Sequence, residues 1–169
     1  GRHLDIETRT EPYRALIYRD PASPHPSFVL DDVSEIPFLD GISAVEFYQL
    51  RARLRANTGD LFAATCPEIE GYEAYNRTYL GIGSPGFVYA APGKLPPIAL
   101  SEACERPGTL EKISLFARKS GGLTLKPYMG NTQVWNLAAK VKEHANVDVN
   151  VLAPPPPVTW LSNDKVHLT

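Results

Sequence analysis

The sequence has little cysteine and no marked excess of charge of either sign. Cys66 and Cys104 are its only thiols, too few for a disulfide framework. They fit a reduced, cytoplasmic protein that buries them. Lysine and arginine number 17 against 19 acidic residues, for a net charge of −2. That balance leaves no broad basic face, so neither nucleic acid nor a membrane surface is an expected partner. No apolar run approaches the ~20 residues of a membrane-spanning helix, and the opening "GRHLDIETRT" is too polar for a secretory signal. The four histidines (His3, His25, His144, His167) are scattered, with no pair at ligand spacing, so no metal site is assigned. Neither a G-x-S-x-G nucleophile elbow nor a G-x-x-x-x-G-K-[ST] phosphate loop occurs, and no catalytic residue is assigned.

What is present is enough chain for one domain with a real core: 169 residues, 43% of them hydrophobic. Of sixteen prolines, ten fall in clusters at 20–26, 92–97 and 154–157. Each fixes its own backbone and disfavours helix in the residue before it, so the clusters cut the chain into segments. No internal repeat occurs.

The first 40 residues carry two strand-like runs, "RALIYRD" (14–20) and "SFVLDD" (27–32), read as an N-terminal arm or hairpin over 1–40. "SAVEFYQLRARLRAN" (43–57) predicts a helix, with Ser43 and Glu46 at capping-box spacing. "DLFAATC" (60–66) reads as a short apolar strand. "PEIEGYEAYNRTYL" (67–80) reads as a helix opened by Pro67, with Ile69, Tyr72, Tyr75 or Asn76, and Tyr79 as a stripe packing on a sheet. "PPIALSEACERPG" (96–108) predicts a short helix closed by Pro107-Gly108, and 109–122 is ambiguous. "LTLKPYM" (123–129) and "VDVNVLAP" (147–154) read as strands around a helix at 131–145 capped by Asn131 or Thr132. A further helix would start at Ser162 or Asn163. The alternation of strand and helix predicts an α/β, three-layer, Rossmann-like domain with a mainly parallel sheet over 41–157.

Gly81-Ile82-Gly83-Ser84-Pro85-Gly86 matches the G-x-G-x-x-G dinucleotide fingerprint. The fingerprint needs a strand before it and a helix after it. Here a helix precedes and the strand "FVYAAP" follows, and Pro85 removes an amide donor. The glycines are therefore read as the turn into that strand.

Ligands of parallel sheets sit beyond the carboxyl ends of the strands. The wall candidates are accordingly Tyr128, Met129, Gly130, Asn131, Thr132 and Cys66. The "GNT" turn (130–132) exposes backbone amides able to meet an anion, or is a plain turn and cap. Cys66 lies between a strand and an expected helix start, which lowers a thiol pKa, but it has no evident histidine partner.

The order strand, capped helix, strand, proline run and Asn163-Asp164-Lys165 over about 109–169 resembles the end of the N-terminal, pre-ATP-grasp domain of ATP-grasp carboxylate–amine ligases. The resemblance implies a small Rossmann-like domain that lines one wall of the substrate site. It implies ATP and Mg²⁺ as cofactors of the intact enzyme, small carboxylate and amine substrates as partners, and Lys165 as a residue reaching the ATP phosphates. It leaves a homodimer open. Residues 158–169 would begin the link to the ATP-binding part. The two lobes that clamp ATP would follow residue 169, so the chain is expected to be a domain fragment, inactive alone. Two other readings stand beside it. One is a protein-interaction module built on the Tyr-rich segment 72–79 and the proline-rich loops. The other is a self-contained Rossmann-like nucleotide binder.

Overall fold

The computed structural model describes residues 5–18, 25–39 and 41–163. Five strands form one all-parallel sheet: β1 (Ser27–Leu30), β2 (Leu61–Ala64), β3 (Gly86–Tyr89), β4 (Gly122–Pro127) and β5 (Asp148–Val151), in the order β3-β2-β1-β4-β5. Helices lie on both faces, so the expected three-layer α/β architecture is present. Strands buried on both faces need continuous apolar runs. β1, β2 and most of β4 supply them, being buried at every position but Lys126.

Side chains alternate between two cores. Phe28 and Leu30 join Ala63, Leu123, Leu125 and Val149 on one face. There they meet α3 (Leu100–Cys104), α4 (Pro107–Ser120) and α5 (Thr132–Ala145), which contribute Leu100, Ile113 and Trp135. Val29, Phe62 and Ala64 face the other way, onto Leu50 and Ala52 of a 3₁₀ helix, Val45–Arg55, and onto Tyr72 at the start of α2 (Tyr72–Leu80). At the N-terminus, α1 (Ile6–Thr10) packs on α6 (Pro156–Asn163).

The strand–helix–strand unit at 122–151 follows the sequence reading. β4 and β5 pair in parallel, and Asn131 caps α5 by accepting from the Val134 amide at 2.9 Å. Several other expectations are corrected. "SFVL" is not half of a hairpin: it is the central strand, flanked by β2 and β4. In "RALIYRD", residues 14–16 belong to a 3₁₀ helix (Glu11–Leu16) and Ile17 meets the sheet in a bridge to Val151, while residues 19 and 20 lie outside the described residues. The 43–57 segment is 3₁₀ rather than α. Its capping box does not form, because Ala44 takes a left-handed backbone (φ 62°) and no side chain caps the helix. α2 starts at Tyr72 rather than Pro67, after Gly71 turns the chain at φ 77°. Pro107-Gly108 opens α4 instead of closing α3, the position where a missing amide hydrogen costs least. For the same reason α6 begins at Pro156, so Ser162 and Asn163 are already inside a helix rather than ahead of one; the residues after Asn163 lie outside the described residues. Among the described residues no helix is long and apolar enough to cross a membrane.

Candidate functional site

Chain direction alone selects one place on this sheet. From β1 the chain leaves to the 3₁₀ helix on one face, and from β4 it leaves to α5 on the other. The two exits part between neighbouring strands and leave a crevice at their carboxyl ends, where parallel sheets hold ligands. Three segments meet there: 31–35 after β1, 48–55 of the 3₁₀ helix, and 128–132 after β4.

The alternation of β1 continues past its end. Asp31 follows Val29 toward the 3₁₀ helix and Asp32 follows Leu30 toward α5. Asp31 is 2% exposed and pairs with Arg55 and with Arg51 Nε, the latter at 3.3 Å. Burial pushes its carboxyl above the usual range, and the two guanidiniums pull it only part of the way back. Asp32 is fully buried and saturated: it accepts from the Ser34 amide (2.9 Å) and hydroxyl (2.5 Å), the Ser101 amide (2.7 Å) and Asn131 Nδ2 (3.0 Å). It ties the loop after β1 to α3 and α5, and is sealed from solvent.

Arg51 and Arg55 are both partly exposed cations of the crevice, 42% and 43%, and Arg51 is the one stacked on aromatic rings. Its guanidinium carbon lies 5.1 Å from the Tyr48 ring centroid and 5.0 Å from that of Tyr128. Its Nε donates to the Tyr48 carbonyl at 3.0 Å. Both rings are about half exposed. The rings hold the planar group in place, and the Nη edge is left to meet a partner. This geometry suits a carboxylate or phosphate, which an arginine fork binds through two parallel hydrogen bonds.

The wall candidates are distributed unevenly. Tyr128 is in the crevice. Asn131 is fully buried beneath it, and Thr132 opens α5, its amide donating to Glu35 Oε1 at 3.2 Å. The chain's own carboxylate thus occupies the helix start that the "GNT" turn offers to an anion. Gly130 is required where it stands, since a Cβ would run into the Pro154 carbonyl. Met129 is half-buried beside it. Cys66 lies apart, packed in the core under the 3₁₀ helix, with its Sγ 3.7 Å from the Glu46 carbonyl. Burial raises its thiol pKa, so it is no activated nucleophile. Asp31, Asp32 and Arg51 escaped the sequence reading; the only signal was a pair of carboxylates directly after an apolar run. Asp164 and Lys165 lie outside the described residues.

The Gly81–Gly86 stretch sits at the other edge of the sheet. Gly81 ends α2 at φ 65°, and Gly86 opens β3, its amide donating to the Asp60 carbonyl. Arg53, completely buried, reaches across to donate to the Gly83 carbonyl (2.6 Å) and to Glu73 (2.5 and 3.0 Å). A Cβ at Gly83 would come within 2.5 Å of Thr58. The glycines permit close packing at the amino end of β3, as the reversed element order predicted. Among the described residues, no group of three or more His, Cys, Asp or Glu is placed to hold a metal ion.

The tyrosine stripe splits. The Tyr72 hydroxyl donates to the Leu50 carbonyl and Asn76 is buried, as a packing face requires. Tyr75 and Tyr79 point outward, 53% and 75% exposed, with ring centroids 5.3 Å apart. No family model, curated protein or solved structure matches the chain.

Proposed function

We propose that this chain is the N-terminal, pre-ATP-grasp domain of an ATP-dependent carboxylate–amine ligase, and that its Arg51 edge forms the wall that receives the carboxylate substrate. One observation carries the reading: an exposed guanidinium, held against Tyr48 and Tyr128, at the carboxyl edge where β1 and β4 part. The crevice offers recognition without an activated nucleophile or an unengaged base. That suits a domain that binds substrate while ATP chemistry proceeds on separate lobes. In phosphoryl transfer, positioning and charge stabilisation supply most of the catalysis, and a domain of this kind contributes the positioning. The two unpaired, buried thiols suit a reducing, cytoplasmic setting.

A self-contained Rossmann-like nucleotide binder is the weaker alternative. Its phosphates would sit directly after β1, where this chain has Asp31 and Asp32 in place of glycines. The outward Tyr75–Tyr79 pair favours a protein-interaction module, which would need no ATP.

The test is ADP release by the complete protein over a panel of amino acids and monocarboxylates, with Lys165→Ala beside the wild type. Turnover at low ATP should fall at least ~10-fold in the variant, with little change in the melting temperature. Wild-type turnover by Lys165→Ala, or no carboxylate-dependent ADP release at all, would remove the ligase reading.

A further inference from the structure

A hollow of about 410 Å³ opens between residues 39 and 41–46 on one side and 96–98 on the other, both at the carboxyl edge of the sheet. That volume is within the range of small-molecule sites, ~300–1,000 Å³. Its walls are mainly apolar, with Leu39, Ile42, Val45, Pro96 and Ile98 among them. Among the described residues of the lining, Glu46 is the only charged one. It is half-buried, and among the described residues its carboxylate has no ion-pair partner. Ala44, on the same rim, is held at φ 62°. That conformation is costly for a residue with a Cβ, and such strain gathers at ligand-binding loops.

We propose that this hollow is a second binding site, for a small molecule with an aliphatic body and a primary ammonium group. The body fills the apolar walls and the ammonium pairs with Glu46. A lone carboxylate beside apolar surface favours a cation over a neutral or anionic head, because an anion would add repulsion to its own desolvation. The inference stands on the hollow and Glu46 alone and does not depend on the ligase reading.

Isothermal titration with n-hexylamine, n-hexanol and n-hexanoate tests it, since the three share a chain and differ in head charge. The amine should bind tightest and the carboxylate weakest. Glu46→Gln should weaken the amine about fivefold and leave the alcohol unchanged, the scale of a partly exposed ion pair. Ser43→Trp, which places bulk in the hollow from an exposed position, should abolish binding of all three without shifting the melting temperature. Equal affinity for amine and carboxylate, no binding of the amine, or amine binding untouched by either substitution would overturn the proposal.

Discussion

Charge at single residues is handled in two ways on this sheet. Asp31 is destabilised as a carboxylate by burial and only partly compensated. Glu73 is the opposite case: hydrogen bonds from Arg53 hold its carboxyl below the usual range. The folded-state pKa of Glu73 is thus lower than the unfolded one. The pair contributes stability above the ordinary glutamate range, and that contribution is lost as pH falls through the depressed value. Glu73→Gln leaves the buried Arg53 guanidinium without its counter-charge and should cost about 2–3 kcal/mol at neutral pH. Urea titrations across the acid range should show both the loss and a flatter pH dependence in the variant. Arg53 and Glu73 are 20 residues apart in sequence. Nothing in the pattern of either segment announces that they meet.

At the scale of elements, α5 joins fold and site. Its cap residue, Asn131, accepts from Val134 and donates to Asp32. Asn131→Ala removes the cap and one of the donors that saturate a buried carboxylate. The expected loss is about 2–3 kcal/mol, read as a lower denaturation midpoint with an unchanged slope. Asn131→Asp keeps the cap but sets two carboxylates together, and should be no better. This helix and its flanking strands were legible because cap, apolar stripe and strand order all agree. β1 was read as a strand but not as the centre of the sheet. Four residues buried on both faces show no alternation, and the neighbouring prolines suggested an arm. α6 was hidden because a proline run that opens a helix looks the same as a linker. The 3₁₀ helix was found by its apolar spacing but mistaken for α, since spacings of three and four residues overlap over so short a run. Of the site, Tyr128 to Thr132 could be read as a strand end. Arg51 and Asp31 could not, because three separate segments bring them together.

For the whole molecule, the strand order β3-β2-β1-β4-β5 decides where function can reside. It places one crevice between β1 and β4, puts Arg51 in it, and sends the glycine-rich stretch to the far edge. The proposal that this crevice receives a carboxylate is tested most directly by steady-state kinetics of Arg51→Lys in the complete protein, over the carboxylates that support ADP release. Lysine keeps the positive charge but loses the planar fork and its ring contacts. The account predicts that KM for the carboxylate substrate rises about 10-fold while KM for ATP stays put, a loss of about 1.4 kcal/mol confined to one substrate. An unchanged carboxylate KM, or an equal rise for ATP, would contradict it.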